Sequence, residues 1–228
     1  IKDLLRPEYA QTVRYAQAVR EMGKRRESRL PRVPAPAMTE AVRQSAYADS
    51  PKSEIRLRDI ALAEFLHSTG CRIDEARRLR VRDISLSERK AKVTGKGDKE
   101  RYVFLSQISA HALAAYWEAR GFAERSNPAF ARHDNGYGVS KSGYKRVAGI
   151  TTQTMWKTVT RLADLAGVEK GAFTPHSFRH AYADRLLGET DNLAVVQELL
   201  GHASPVTTRK YTQITDTKMQ EAHRKAFG

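Results

Sequence analysis

Cysteine and long apolar runs are what this sequence has least of. The chain of 228 residues contains a single cysteine, Cys71. It can therefore form no internal disulfide, which suits a reducing compartment, and we expect a cytoplasmic protein. No apolar run approaches the roughly 18 residues of a membrane-spanning helix, so no transmembrane helix is predicted. The first residue is Ile1 and no signal-peptide pattern follows it, so we expect a fragment of a longer chain.

Acidic residues are also scarce relative to basic ones. Asp and Glu number 26 against 40 Lys and Arg, which gives a net charge of +14. Such an excess of positive charge is typical of proteins that bind a polyanion, most often nucleic acid. A basic surface with no specific partner is the alternative. Because arginines cluster inside the motifs described below, nucleic acid is the favoured partner.

Apolar periodicity predicts a mostly helical domain behind a proline-rich linker. Three prolines, Pro31, Pro34 and Pro36, interrupt the helical pattern. Thr39 is the candidate N-cap of the next helix, and Trp117 and Trp156 are candidate core residues. Further helices are predicted at 54–70, 73–80, 106–120, 152–166, 175–187, 192–200, 205–210 and 215–226. Residues 121–150 are predicted to form a loop.

Between residues 81 and 105 the period changes from that of a helix to that of a strand. The segments VRDISL, KAKVTG and ERYVFL are short and partly alternating, which predicts three strands. The intervening GKGDKE is typical of a hairpin turn. The fold class is therefore predicted as α+β, mostly helical with one small antiparallel sheet.

The stretch TPHSFRHAYADRL, residues 174–186, combines an N-cap with two histidines and two arginines. Thr174 is a suitable cap, and Pro175 suits the first helical position. Helical spacing predicts an apolar side (Phe178, Ala181, Tyr182 and Leu186) and an opposite side (His176, Arg179, His180 and Ala183). A guanidinium offers a planar fork of donors that suits phosphate oxygens. A solvated basic face is the alternative for this helix.

A second stretch, ELLGHASPVTTRKYTQI, covers residues 198–214. Gly201 is predicted to end a helix, with His202 directly after it. Tyr211 stands beside Arg209 and Lys210, and nearby positive charge favours the phenolate form of a tyrosine. A tyrosine among that many cations need not be a core residue.

Five motifs in this order resemble the tyrosine recombinase, or phage integrase, family. They are TGCRIDEARRL (69–79), GKGDKERYVFL (95–105), HSFRH (176–180), LLGH (199–202) and Tyr211. The resemblance implies a catalytic domain over residues 33–228. It also implies that residues 1–32 are the end of an N-terminal core-binding domain or an interdomain linker.

The resemblance also implies roles for individual residues. Catalytic roles fall to Arg72, Lys96, His176, Arg179, His202 and Tyr211, with Tyr211 as the nucleophile. Glu75 and His180 would support them. Candidate DNA contacts are Arg77, Arg78, Lys99, Arg101, Lys141, Lys145 and Arg209, and Lys99 is the second candidate for the role of Lys96.

The implied reaction is site-specific cutting and rejoining of double-stranded DNA through a covalent 3′-phosphotyrosine. Guanidinium groups would neutralise the phosphate, so neither a metal, another cofactor nor ATP is expected. The resemblance further implies a homo-tetramer on DNA, with residues 215–228 packed on a neighbouring subunit or back in cis. It implies a protein encoded by a bacterium, a phage or a mobile element and associated with the nucleoid.

Three other functions stay open at this level. A DNA-binding protein with a lapsed active site would not need Tyr211. A type IB topoisomerase would share the chemistry. A metallohydrolase using His176, His180 and His202 would need a further carboxylate or cysteine ligand, which the motif does not supply.

Overall fold

The computed structural model describes residues 34–48, 54–121, 124–133, 138–139, 145–201 and 216–227. The predicted α+β class is confirmed. The helices are α1 (Pro36–Ala48), α2 (Glu54–Thr69), α3 (Ile73–Arg78), α4 (Gln107–Ala119), α5 (Thr152–Leu165), α6 (Pro175–Thr190), α7 (Leu193–Leu200) and α8 (Asp216–Phe227). The strands are β1 (Ile84–Ser85), β2 (Lys90–Thr94), β3 (Glu100–Phe104), β4 (Gly138–Val139) and β5 (Lys145–Arg146).

Helix α2 forms the centre of the core. Its residues Leu62, Phe65 and Leu66 are completely buried, and α1, α4, α5 and α6 all pack against it. A helix that is surrounded on most sides needs apolar residues beyond a single stripe. The sequence of α2 meets this need, since Ala61 and Ala63, on either side of Leu62, are buried as well.

Strands β1, β2 and β3 form an antiparallel sheet in that order. Ala91 pairs with Val103 and Val93 pairs with Arg101, so these four side chains share one face. Ala91, Val93 and Val103 are buried on this face. The register therefore directs the side chain of Arg101 toward the interior of the domain.

Two strand predictions need correction. Residues Val81–Asp83 form a 3₁₀ turn in place of the first half of a strand. The carboxylate of Asp83 accepts a hydrogen bond from the backbone N–H of Arg80 at 2.8 Å, and this local bond competes with strand pairing. In the predicted loop at 121–150, β4 and β5 pair with each other as a short antiparallel ladder.

Several predicted helix boundaries differ from the structure. The prediction of Thr39 as an N-cap is wrong, because α1 begins at Pro36 and buries Thr39 within the helix. A proline is compatible with the first helical turn, where its missing N–H has no intrahelical acceptor. Helix α3 ends at Arg78, before the predicted 80, and α6 continues to Thr190, beyond the predicted 187. The predicted helix at 205–210 lies outside the described residues.

The two tryptophans occupy different environments. Trp117 is a core residue as predicted, and its Nε1 donates to the carbonyl oxygen of Ala129 at 3.0 Å. The prediction is wrong for Trp156, which is 38% exposed on α5. An exposed indole on a regular helix is available to a partner outside the core.

Helix α8 packs back onto its own chain, against α6 and α7. The ring of Phe227 stacks on Tyr182 with centroids 4.9 Å apart, and the Nε2 of buried His223 donates to the carbonyl oxygen of Ser68. Of the two arrangements predicted for residues 215–228, the structure shows the packing in cis for residues 216–227. Within the described ranges, no helix combines the length and hydropathy needed to cross a bilayer.

Candidate active site

Arg72 occupies the N-cap position of α3 and is held by a single carboxylate. Its backbone N–H donates to Glu75 Oε2 at 2.7 Å, and its Nη1 donates to Glu75 Oε1 at 3.1 Å. An acidic residue at the third helical position satisfies a backbone donor that the helix itself cannot. These two hydrogen bonds fix the position of the guanidinium. Because the side chain of Arg72 is 39% exposed, the guanidinium is also accessible to a ligand.

Arg179 lies on α6 and crosses the core between two distant backbone segments. Its Nη1 donates to the carbonyl oxygen of Gly70 at 2.8 Å, and its Nη2 donates to that of Leu200 at 2.7 Å. Burial lowers the pKa of Arg179 to about 10, and the positive charges of Arg72 and Arg101 act in the same direction. The guanidinium is thus placed in a cationic cluster that would be stabilised by an anion.

This placement corrects the predicted division of α6 into two sides. Arg179 and Ala183 were expected on the side opposite the core, and both are buried. Arg179 tolerates burial because two carbonyl oxygens from remote segments satisfy its donors. Tyr182 is in the core, as predicted.

Glu75 is the anion at the centre of these cations. It is 3% exposed, and Arg101 grips it with Nη1 to Oε1 and Nη2 to Oε2, both at 2.9 Å. Burial raises the pKa of Glu75, but the hydrogen bonds and charge of Arg101 and the N–H of Arg72 outweigh it and lower the pKa overall. Glu75 is therefore ionised and links the positions of Arg72 and Arg101.

Arg101 does not occupy the position expected of a DNA contact. Its side chain is 13% exposed, and its Nε donates to the carbonyl oxygen of Leu199 at 3.0 Å. All three guanidinium nitrogens thus have partners inside the protein. Sequence contained a signal for this placement, because Arg101 and buried Val103 are two residues apart on one strand and share a face.

The first turn of α6 presents His176 at the surface. The start of the helix is as predicted, with Pro175 in its first turn and the N–H of Thr174 donating to Ser177 Oγ at 3.0 Å. His176 is exposed, and its ring meets that of Trp156 edge to face, with centroids 6.4 Å apart. No pattern in the sequence predicted this contact, because the helical spacing indicated a core position for Trp156.

His180 lies one turn further along α6 and is partly buried. Burial lowers its pKa, and the neighbouring His176 and Arg179 lower it further. A neutral imidazole next to His176 is consistent with the supporting role predicted for it. Across the described ranges, no three His, Cys, Asp or Glu side chains are grouped as metal ligands would be.

Lys96 begins the short 3₁₀ segment Lys96–Asp98 at the tip of the β2–β3 hairpin. The structure describes its backbone and not its side chain. The N–H of Gly95 donates to the carbonyl oxygen of Lys99 at 2.8 Å and closes the turn. A Cβ atom on Gly95 would lie 3.5 Å from Glu75 Oε1. The residue before Lys96 therefore lies close to the carboxylate that binds Arg72 and Arg101.

Gly201 ends α7, as predicted, and the structure shows this glycine in the left-handed conformation with φ of +64°. Leu200, whose carbonyl oxygen binds Arg179, is two residues before His202. His202, Arg209, Tyr211 and Lys141 lie outside the described residues, and Lys145 is described only in its backbone. The structure therefore brings together Arg72, Glu75, Arg179 and the chain segments that lead to Lys96 and His202.

The remaining predicted DNA contacts lie at the surface. The side chains of Arg77 and Arg78 are 42% and 47% exposed, and both are near Asp74. Lys99 is exposed on the hairpin. These three cations are accessible to an external phosphate.

A sequence profile described as the phage integrase family matches residues 36–218. The chain belongs to the phage integrase family. The resemblance drawn from the five motifs is thereby confirmed. The matched range contains all five motifs.

Relatives of this phage integrase family member include bacterial recombinases. The chain is 37% identical over 168 residues to the tyrosine recombinase XerD of Bifidobacterium longum, covering 73% of this chain and 53% of that protein. It is 35% identical over 196 residues to XerD of Yersinia pestis, covering 86% and 62%. The chain thus spans between half and two thirds of the length of these relatives.

Solved structures show the same fold. The crystal structure of XerA recombinase matches with a TM-score of 0.64 at 27% identity, covering 88% of this chain and 65% of that one. XerH recombinase bound to its difH substrate matches with a TM-score of 0.61 at 26% identity, covering 81% and 51%.

Proposed function

We propose that this chain is the catalytic part of a site-specific recombinase that cuts and rejoins double-stranded DNA. Residues 33–228 would form the catalytic domain, and residues 1–32 the end of a core-binding domain or a linker. The observation that carries the proposal is the position of Arg179 between Gly70 and Leu200. It draws the segments that hold Arg72 and precede His202 to one buried cation.

The cations suit a reaction at a phosphodiester. Charge builds on the non-bridging oxygens when a nucleophile attacks phosphorus, and preorganised donors stabilise that charge. Arg72 is accessible and fixed by Glu75, while the plane of the Arg179 guanidinium is fixed by two carbonyl oxygens. Such fixed guanidinium groups lose little freedom when they bind phosphate oxygens.

The proposed step is a transesterification in which the number of phosphate ester bonds is conserved. The Oη of Tyr211 loses its proton to His176 and forms a bond to phosphorus, and the 5′-oxygen of the DNA leaves with a proton from Lys96. His202 hydrogen-bonds the phosphate. Attack by a second 5′-hydroxyl on the 3′-phosphotyrosine reverses the step without ATP, and the guanidinium groups supply the charge that metal ions provide elsewhere.

Covalent trapping on a nicked duplex tests the proposal. The probe is a pool of nicked duplexes of randomised sequence, in which the short strand beyond the nick diffuses away after cleavage. We expect protein–DNA adducts that resist denaturant, form equally in excess EDTA and disappear in Tyr211→Phe. The same substitution at Tyr102, which is 41% exposed on β3, is the matched control and should retain the adducts.

The outcomes of this experiment distinguish the alternatives. Binding of the pool without any adduct would favour a DNA-binding protein with a lapsed site. Adduct formation together with relaxation of a supercoiled plasmid, but without joining of two different duplexes, would favour a type IB topoisomerase. Loss of the adducts in EDTA would contradict metal-free chemistry.

The proposed assembly on DNA is a homo-tetramer in which α8 moves from its own chain to a neighbour. Deleting residues 215–228 should then impair cooperative assembly more than cleavage at a single site. Phe227→Ala, which removes the ring that stacks on Tyr182 and on His223 but keeps residues 215–228 in the chain, provides a milder variant. Unchanged cooperativity in both variants would contradict this arrangement.

A further inference from the structure

We infer that Arg101 is a positioning residue that holds the hairpin of Lys96 and the end of α7 on either side of Glu75. This inference rests on the proposed function. It replaces the DNA contact predicted for Arg101 and explains how three motifs far apart in sequence keep one relative position.

The hydrogen bonds of Arg101 join three elements through one rigid group. From β3, its two terminal nitrogens bind both oxygens of Glu75 on α3, and its Nε binds the carbonyl oxygen of Leu199 on α7. A guanidinium is planar, so these acceptors are held in one plane. Movement of β3 therefore moves the carboxylate that fixes Arg72.

Close packing transmits this position to the neighbours of Lys96 and His202. A Cβ atom on Gly201 would lie 2.9 Å from Arg101 Cδ, which is closer than atoms can pack. A Cβ atom on Gly95 would lie 3.8 Å from Arg101 Nη1. Gly95 precedes Lys96 and Gly201 precedes His202, so the residue before each of these two proposed catalytic groups lies where an added side chain would meet Arg101.

A direct phosphate contact by Arg101 would break this arrangement. The guanidinium would have to leave Glu75, whose side chain is only 3% exposed. A buried carboxylate without its partner is strongly destabilising. Lys99, two residues earlier in the hairpin, is already exposed and can contact phosphate without that loss.

The test separates positioning from DNA contact and from general stability. The variants are Arg101→Gln and Arg101→Lys, with Lys99→Gln as an example of a lost phosphate contact. Arg43→Gln is the matched structural control, because Arg43 is 12% exposed and pairs with Glu64, which is 1% exposed, away from the candidate site. The measurements are the adduct-forming rate at saturating nicked duplex, the DNA affinity over a salt series, and the melting temperature.

We expect both Arg101 variants to form adducts about 100-fold more slowly at saturating DNA, as small misplacements of reacting groups cause. Lysine should not rescue the rate, since one ammonium cannot bind two carboxylate oxygens and a carbonyl in a plane. The slope of log affinity against log salt should be unchanged by Arg101→Gln and reduced by about one in Lys99→Gln. Arg43→Gln should lower the melting temperature while keeping the rate.

Two results would overturn the inference. A lower salt slope with a normal saturated rate in Arg101→Gln would make Arg101 a DNA contact. A normal rate in both Arg101 variants would show that the reaction does not depend on the hydrogen bonds of Arg101 to Glu75 and Leu199. If the unmodified chain forms no adduct, the proposed function fails instead. Amide hydrogen exchange at residues 95–101 and 199–201 then still tests whether Arg101 holds the hairpin and the end of α7 together. Loss of its hydrogen bonds should accelerate exchange in both segments.

Discussion

Arg179 donates a hydrogen bond from Nη1 to the carbonyl oxygen of Gly70 at 2.8 Å. Gly70 is two residues before Arg72, so this bond places the two arginines of the candidate site next to each other. Gly70 has a φ of +57°, and a Cβ atom there would lie 2.4 Å from the ring of Tyr182. Only glycine therefore allows the approach of α6 that brings Arg179 to Arg72.

Replacing Arg179 tests the importance of this approach. Arg179→Lys should reduce adduct formation by a factor of roughly 100 to 1,000, the usual effect of removing one transition-state donor. A single ammonium cannot bind both the Gly70 and Leu200 carbonyl oxygens as the guanidinium does. Arg161→Gln, which removes an ion pair with Asp59 outside the site, should keep the rate. Equal rates in the two variants would contradict a catalytic role.

Two glycines with similar backbone conformation separate crowding from strain. Gly201 and Gly167 have φ of +64° and +71°, but a Cβ atom meets Arg101 only at Gly201 and meets nothing within 4 Å at Gly167. Gly167→Ala should cost about 1 kcal/mol of unfolding free energy, from strain alone. Gly201→Ala should cost about 1–3 kcal/mol more, because it also overpacks the site. Urea denaturation measures the unfolding free energy of both variants. Equal losses would show that the Arg101 side chain moves aside at no cost in free energy.

Stability should depend on pH through two buried histidines. Burial lowers the pKa of His67 and of His223 to about 4, and nearby arginines add to the effect. The unfolded chain binds protons near pH 6.5 where the folded chain does not, so stability is complete above that pH. It should decline as the pH falls from 6.5 toward 4, by up to about 3 kcal/mol for each histidine.

Melting temperatures between pH 7 and 5 check this dependence. His223→Gln keeps a donor for the carbonyl oxygen of Ser68 and should flatten the decline. The same change at His111, which is exposed on α4, is the control and should leave the curve as it is. If the melting temperature of His223→Gln fell as steeply with pH as that of the unmodified chain, His223 would not contribute to the pH dependence.

The tryptophans should differ in what their loss affects. Trp117→Ala removes a buried ring and a hydrogen bond, which should cost about 3–5 kcal/mol of stability. Trp156 is 38% exposed and contacts His176, so Trp156→Ala should cost less than about 1.5 kcal/mol and slow adduct formation. Thermal unfolding and covalent trapping compare the two variants. An unchanged rate of adduct formation in Trp156→Ala would show that the contact of Trp156 with His176 does not affect the reaction.

The sequence alone determined what depends on neighbouring residues. The cap at Thr174, the helix stop at Gly201 and the hairpin between β2 and β3 follow from local hydrogen bonding and backbone preference, and all were predicted. The ordered motifs were also sufficient to assign the family. Short-range rules fix such features because their partners are a few residues away.

Only the tertiary structure decided which charged side chains are buried. Arg179 finds its acceptor 109 residues away at Gly70, and Arg101 finds one 98 residues away at Leu199. No local pattern reveals whether a distant carbonyl or carboxylate will satisfy a guanidinium, so helix periodicity placed Arg179 on an outer face. Burial of a cation is favourable only when such partners arrive, and their arrival depends on the packing of the whole chain.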